Sequence, residues 1–148
     1  MNPTMPGEEH WRKLERMYDS SPLNAFIRPR LTVGEGTAEV VIPVRPELFH
    51  AAGAIHGSIY FKALDDSAFF AVNSLVEEVF VLTASFTVYL LRPVSEGELR
   101  ARGRVMHRSK RLFVAESEAT DAAGRLVARG SGTFMRSRMA LTSDIGYA

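Results

Sequence analysis

The fold is decided by residues 55–90, which read IHGSIYFKALDDSAFFAVNSLVEEVFVLTASFTVYL. The part from Ile55 to Leu75 contains no proline and one early glycine, and it is rich in Phe, Leu and Ala. This length and composition predict one long, largely buried helix. From Val79 onwards the period changes to two, which predicts a strand. The apolar residues of one predicted strand face are Phe80, Leu82, Ala84, Phe86, Val88 and Leu90.

The segments before this core predict one more helix and two strands. Trp11, Leu14 and Tyr18 recur at helical spacing, so we expect a short amphipathic helix that ends before Pro22. Residues 27–44 read as two short strands that turn at Gly34-Glu35-Gly36.

Three further strands are predicted after the core, over residues 98–106, 112–120 and 126–135. The order of elements predicts an α+β domain in which a long central helix lies on an antiparallel sheet of about five to six strands. We expect one domain over residues 1–148, with a helical extension over about 1–20 and a tail over 138–148.

The composition excludes several classes of protein. The 148 residues include 18 Lys and Arg against 17 Asp and Glu, a net charge of +1 that argues against a general nucleic-acid-binding protein. The absence of cysteine excludes disulfides, thiolate nucleophiles and cysteine-ligated metals. The polar start and the lack of a long apolar run predict a cytoplasmic protein with no signal peptide and no membrane span. The four histidines show no metal-ligand spacing beyond His50 and His56, and no HExxH-like pattern exists, so no metal is predicted.

Asp65 is the first candidate for chemistry. On a helical wheel Ser58, Phe61, Phe69 and Val72 fall within about 40° of it, so it lies on a mostly apolar stripe. An ionised carboxylate there must be hydrogen-bonded, shifted in pKa or used in a reaction. The adjacent Asp66 points about 100° away from Asp65. It has Lys62 one turn back, which indicates an ordinary helix ion pair.

The predicted helix start at His56-Gly57 is the second candidate. The first N–H groups of a helix have no intrahelical partner, and a glycine lets a thioester carbonyl approach closely, so the Gly57 N–H could hold an oxyanion. Asp65 lies eight residues further on, about 12 Å along the helix. One carbonyl could reach both groups only if two helices pack antiparallel across a two-fold axis. The spacing therefore predicts a site at a dimer interface.

These residues resemble the phenylacetate-pathway type of hotdog-fold acyl-CoA thioesterase. That family carries an Asn, a Gly three residues on, then His-Gly-Gly, with an Asp nine residues after the His. Gly53, His56-Gly57 and Asp65 match this spacing, and the resemblance covers about residues 20–137. It implies a hotdog fold and a homodimer or homotetramer that hydrolyses acyl-CoA without a further cofactor. It also implies that Asp65 is the nucleophile or general base, that the Gly57 N–H holds the oxyanion, and that His56 helps to hold the turn.

Two positions depart from the family pattern. The Asn is His50 here, which could donate to the carbonyl, place a water or be structural. The second Gly is Ser58, whose hydroxyl faces the Asp65 side; a Ser58–His56 nucleophile pair is conceivable but has no evident third member. Thr83 matches a family hydroxyl that assists the Asp, and it equally fits an ordinary strand residue.

Two groups of residues are candidates for substrate binding. Phe61 and Phe69 near the candidate carboxylate favour a medium-chain or aromatic acyl group, unless they belong to the core. The basic stretch 107–111, HRSKR, is expected in a turn between strands. Because coenzyme A carries phosphates, Arg108, Lys110 and Arg111 are candidate phosphate ligands. The alternative is a solvated hairpin tip that discourages edge pairing. The arginines 100, 102 and 104 are expected on an exposed strand face.

Two other functions are compatible with this fold. A hydroxyacyl-thioester dehydratase or hydratase would need an acid/base pair, and its His-Phe-Pro or Asp-x-Asn-Pro-x-x-His signatures are absent. A non-catalytic acyl-CoA-binding protein remains open because of His50 and Ser58. Release of the thiol from an acyl-CoA would distinguish hydrolysis from both.

Overall fold

The computed structural model describes residues 5–148; residues 1–4 of the expected N-terminal extension lie outside this range. The helices are α1 (Glu8–Asp19), α2 (Pro22–Ile27) and α3 (Gly57–Asn73), with 3-10 helices at Pro46–Leu48 and Ser143–Ile145. The strands are β1 (Arg30–Gly34), β2 (Thr37–Pro43), β3 (Val79–Leu90), β4 (Glu98–Arg108), β5 (Leu112–Thr120) and β6 (Leu126–Ala140). Within residues 5–148, no helix is long and apolar enough to cross a membrane.

The six strands form one antiparallel sheet in the order β1-β2-β4-β5-β6-β3. The sheet packs against α3, which contacts every strand. The core is buried between them and includes Leu64, Leu99, Phe113 and Phe134, each fully buried. This confirms the predicted α+β class, the central helix and the strand number. β3 lies at the edge of the sheet.

Helix α3 begins where the sequence predicts. His56 is the N-cap, in an extended conformation, and its side chain accepts a hydrogen bond from the Ser58 N–H, as N-cap side chains commonly do. The helix approaches the sheet closely at Gly103, where an added Cβ would lie 2.3 Å from the Ser67 backbone. Ser117 on β5 donates to the Leu64 carbonyl across the same contact, at 2.8 Å. These contacts fix the height of α3 above the sheet.

The N-terminal half contains one helix that the sequence analysis missed. The amphipathic helix before Pro22 is confirmed as α1, which ends at Asp19. Residues 22–27 then form α2, with Pro22 at its first position, where a missing N–H costs nothing. The first strand consequently starts at Arg30 and not at residue 27.

Two strands extend further than predicted. β4 continues through Arg108, so His107 and Arg108 lie on a strand and the turn is confined to residues 109–111. β6 continues to Ala140 because its end pairs with the start of β3, with Val79 opposite Ala140. Residues 138–140 of the expected tail are therefore strand.

The uninterrupted alternation predicted for β3 is wrong. Thr83 pairs with Phe134 and Ser85 with Thr133, so Ala84 is an extra residue, a β-bulge. A bulge exchanges the two faces of a strand. Before it Val81 is buried and Leu82 is 52% exposed, the reverse of the prediction. After it Phe86 and Val88 pack against the core as predicted.

Candidate active site

Asp65 lies on α3 beside the edge strand, and its carboxylate is mostly buried. The Thr83 hydroxyl donates to Asp65 Oδ1 at 2.9 Å. This contact depends on the Ala84 bulge, since Thr83 would otherwise face away from the helix when Phe86 faces it. Both residues line a cavity of about 680 Å³. The apolar part of its lining includes Met17, Phe69, Phe70, Phe80, Met139 and Ile145.

The pKa of Asp65 is raised from 3.8 to about 6, chiefly by burial. The Thr83 hydrogen bond lowers it, the neighbouring charge of Asp66 raises it, and Lys62 lowers it. A carboxyl that is partly protonated near pH 6 and ionised at neutral pH is a competent general base. Perturbed carboxyls in a cavity are typical of functional sites.

Asp66 has a different environment. It accepts hydrogen bonds from Lys62 Nζ at 2.8 Å and from the Tyr18 hydroxyl at 2.6 Å. Lys62 also lies over the Tyr18 ring, 5.1 Å from its centroid. The predicted Lys62–Asp66 ion pair is confirmed, and Tyr18 adds a tie between α1 and α3. Both acids line the same cavity, but Asp66 Oδ2 accepts from two donors, one of them a cation, whereas Asp65, among the residues that the structure describes, accepts only from Thr83.

The start of α3 lines a second cavity, of about 290 Å³. Gly57 is the first helical residue, so its N–H has no intrahelical acceptor. His50 lies on the same cavity, and its Nδ1 accepts from the Ala52 N–H at 3.0 Å. The ring proton is therefore on Nε2, which leaves one N–H to donate. The Gly57 N–H and the His50 Nε2–H are therefore two candidate hydrogen-bond donors on this cavity.

His56 and Ser58 form a helix cap and line neither cavity. His56 Nδ1 lies 2.8 Å from the Ser58 hydroxyl and 3.1 Å from the Ser58 N–H. Both side chains are exposed. Ser58 was expected on the same side of the helix as Asp65, but it does not line the cavity that contains the Asp65 carboxylate.

The two predicted phenylalanines have different positions. Phe69 is 8% exposed and lines the cavity of Asp65. Phe61 is 43% exposed and packs edge-to-face on Phe86, with ring centroids 5.5 Å apart. Phe61 therefore faces outwards beside the β3 edge and does not line the cavity within this chain.

The basic residues lie at the end of β4 and in the turn that follows it. Arg108, Lys110 and Arg111 are exposed and line none of the cavities described here. Arg108 pairs with Phe113, Phe113 pairs with Phe134, and Phe134 pairs with Thr83. Arg108 and Thr83 therefore lie at the same level of the sheet, three strands apart. The three arginines of β4, at positions 100, 102 and 104, pair with Glu39, Glu98 and Glu116 on the outer sheet face, as expected.

Sequence reasoning missed several cavity residues. Met139, Asp144, Ile145 and Gly146 come from the end of the chain, where no periodic pattern points to a site. Tyr18 was predicted only as an apolar helix position. Its hydroxyl partner 48 residues away could not be found from local spacing.

Comparison with known proteins identifies the family. The sequence model of the thioesterase superfamily matches residues 52–128. A protein of Sulfurisphaera tokodaii named "Putative esterase" is 32% identical over 101 residues, 68% of this chain and 74% of the relative. One from Saccharolobus solfataricus with the same designation is 29% identical over 68% of this chain and 67% of its own length.

Solved structures share the fold. The Escherichia coli PaaI protein from the phenylacetic acid degradation operon has a TM-score of 0.83 at 22% identity, covering 92% of this chain and 99% of that one. A conserved protein of Pseudomonas aeruginosa has a TM-score of 0.74 at 29% identity, covering 79% and 94%. These matches confirm the hotdog fold that the resemblance implied. The chain belongs to the thioesterase superfamily and is a thioester hydrolase.

Proposed function

We propose that the protein hydrolyses medium-chain or aromatic acyl-CoA to the free acid and coenzyme A, in sites shared between two subunits. The observation that carries this proposal is the division of the catalytic groups between two cavities of one chain. Asp65 and Thr83 line one cavity, and Gly57 and His50 line the other. The separation of eight residues between Gly57 and Asp65 corresponds to about 12 Å of helix, too far for one carbonyl.

The edge strand β3 supplies a way to join the two halves. Its Thr83 end contacts Asp65, and its Leu90 end lies next to Gly57, where Leu90 Cδ1 would be 3.2 Å from an added Cβ. Two copies of β3 paired antiparallel about a two-fold axis near residues 86–87 would bring the Asp65 half of one subunit to the Gly57 half of the other. Leu82, Tyr89 and Leu90 on this strand are each more than half exposed. A long apolar edge of this kind is normally covered in native proteins.

The chemistry follows from the two halves. The carboxylate of Asp65 attacks the thioester carbonyl carbon or takes a proton from the water that attacks it. The oxyanion accepts hydrogen bonds from the Gly57 N–H and the His50 Nε2–H of the partner subunit. Collapse of the tetrahedral intermediate breaks the C–S bond and releases the coenzyme A thiolate, which takes the proton held by Asp65 in the general-base route and a proton from solvent in the covalent route. In the covalent route, water then hydrolyses the acyl-enzyme anhydride and regenerates the carboxylate.

The substrate class is inferred from the surroundings of Asp65. The cavity volume of about 680 Å³ lies within the range of small-molecule sites, and Phe69, Phe70 and Phe80 give it an aromatic lining. The exposed basic cluster of Arg108, Lys110 and Arg111 supplies cations for the phosphates of coenzyme A. An apolar acyl group with a phosphorylated carrier fits both features.

Thiol release from a panel of acyl-CoAs tests the activity. We expect release from medium-chain and phenylacetyl substrates, and loss of at least about 100-fold in kcat for Asp65→Asn. If the absorbance of an enoyl-CoA fell without release of thiol, the protein would instead be a hydratase. Binding without either change would refute catalysis on these substrates.

Complementation tests the shared site. Gly57→Pro removes the proposed oxyanion N–H at a position where helices accept proline, and the preceding His56 already has the extended conformation that proline requires. We expect Gly57→Pro to lose about 100-fold to 1000-fold in kcat. Gly57→Ala is the matched control: it adds the same contact with Leu90 but keeps the N–H, so it should not show this loss.

Mixing Gly57→Pro with Asp65→Asn should then restore activity. Half of randomly formed dimers would be mixed and each would hold one intact site, giving about a quarter of wild-type activity. Verified subunit exchange without recovery would contradict a site shared between subunits.

A further inference from the structure

We propose that residues 141–148, the terminal segment, form the end wall of the acyl cavity, and that Ile145 sets the longest acyl group that the protein accepts. This inference rests on the proposed function, in which the cavity of Asp65 takes the acyl group. It assigns a specificity role to a part of the chain outside residues 52–128, which match the superfamily.

The cavity extends along α3 away from the reacting carbonyl. Its α3 lining runs from Lys62 to Phe70, about two turns, with Asp65 near the start. The Tyr147 side chain reaches the far end of α3, because His10 bonds both the Asn73 carbonyl, at 2.8 Å, and the Tyr147 hydroxyl, at 2.7 Å. Asn73 follows Asp65 by eight residues, about 12 Å of helix. Residues 144–146 line the cavity beside the end of α1, where Gly146 contacts Met17 and Ser20.

The terminal segment is fastened firmly enough to act as a wall. The rings of His10 and Tyr147 meet edge-on at 5.7 Å, and Lys13 Nζ lies 5.4 Å from the Tyr147 ring centroid. Because the Asn73 carbonyl can only accept, His10 Nε2 donates to it and Nδ1 accepts from the tyrosine hydroxyl. Arg16 bonds the Ala148 carbonyl. Three side chains of α1 thus hold the segment in place.

Gly146 brings the segment directly onto α1. Its φ of +88° is in the left-handed region, and an added Cβ would lie 2.3 Å from Ser20 Oγ and 3.3 Å from Met17 Cα. The contact excludes any larger residue at this position without displacement of the segment. It also holds the preceding residue, Ile145, against the cavity.

Ile145 is the apolar member of the wall. Among the lining residues of the terminal segment, Asp144 and Gly146 offer a charge and a bare backbone, while Ile145 packs against the core. Ile145 lines the cavity together with Phe69 and Phe80, so a longer acyl chain in it would meet the Ile145 side chain. The remaining apolar surface near this end comes from Met17 and Met139.

The test is the chain-length profile of kcat/KM, measured by thiol release on saturated acyl-CoAs from acetyl to palmitoyl. Wild type should gain about fourfold for each methylene that it buries, up to a limit. Ile145→Ala should move this limit about two to three carbons longer, and Ile145→Trp should shorten it, with at least about a tenfold loss on the longest good substrate. Both should leave acetyl-CoA within about twofold of wild type.

Leu141→Ala is the matched control, because Leu141 belongs to the same segment and packs on the core but does not line the cavity. It should keep the wild-type limit. Gly146→Ala, which must displace the segment, should widen the profile in the same direction as Ile145→Ala. The two variants test the wall by independent changes, and circular dichroism and melting curves would establish that each is folded.

The outcomes separate the two proposals. Thiol release with the same limit in wild type and in every folded variant would overturn the role of the terminal segment alone. Equal loss on all substrates, acetyl-CoA included, would likewise overturn it, since a merely structural role has that effect. No release by wild type from any acyl-CoA would refute the proposed function and, with it, this inference.

Discussion

Replacing Asp65 by Asn removes a buried ionisable group, and we expect the variant to lose activity while it gains stability. Burial raises the pKa of Asp65 from 3.8 to about 6, so between these values the native state binds more protons than the unfolded chain. The free energy of unfolding therefore falls as the pH rises through this window, and it stays lower above it. At about 1.36 kcal/mol per pKa unit, the ionised carboxyl costs at most about 3 kcal/mol at neutral pH.

Urea unfolding at pH 4 and pH 8 measures this cost. The two proteins should be nearly equal at pH 4, and Asp65→Asn should be more stable at pH 8 by up to about 3 kcal/mol. The amide keeps an oxygen that can accept from Thr83, so the Thr83 hydroxyl keeps its acceptor. Asp66→Asn is the matched control. It weakens the contacts with Lys62 and Tyr18 and should lower stability at pH 8. If Asp65→Asn were destabilised like this control, Asp65 would be a satisfied structural group and the reasoning would fail.

Two further predictions concern Thr83, which bonds the carboxylate, and the exposed basic cluster. Thr83→Val removes the hydrogen bond that lowers the pKa of Asp65, so the acid limb of kcat/KM should move up by about one pH unit, a loss of about fivefold at pH 6 and little at pH 8. Thr83→Ser should restore the wild-type profile, and a loss independent of pH would contradict this role. Neutralising Arg108 and Lys110 should raise KM for acyl-CoA and flatten its salt dependence with kcat unchanged, because the Debye length falls from about 10 Å at 0.1 M salt to about 3 Å at 1 M. An equal loss on a short thioester without the nucleotide would exclude a phosphate contact.

The central part of the fold could be predicted because local physics decides it. The helix start at His56-Gly57 follows from a residue that caps and a glycine that follows it, and α3 begins there. The buried run to Leu75 and the period-two segment after Val79 each specify an element without help from distant residues. The pairings β1-β2, β4-β5 and β5-β6 follow from short connections, whereas β2-β4 and β3-β6 join strands that are distant in the chain.

The rest of the site depends on contacts between distant residues. Tyr18 meets Asp66 across 48 positions, and His10 meets Tyr147 across 137. No periodicity encodes such a pair. The helix α2 was missed for a related reason: six residues are too few for a hydrophobic period, and its position depends on packing beside α1.

The Ala84 bulge was not predicted from the sequence, and it positions a residue of the candidate active site. Thr83 and Phe86 are three residues apart, so on a regular strand they would point to opposite faces. The site needs both on the helix side, the hydroxyl on Asp65 and the ring on Phe61. An extra residue between them meets that need, and it exposes Leu82 on the outer face, where it lies opposite Met135. The cost is an unpaired residue in the ladder, which is common beside active sites. The departure from alternation is thus explained by the demand of the carboxylate for a hydrogen-bond donor from the edge strand.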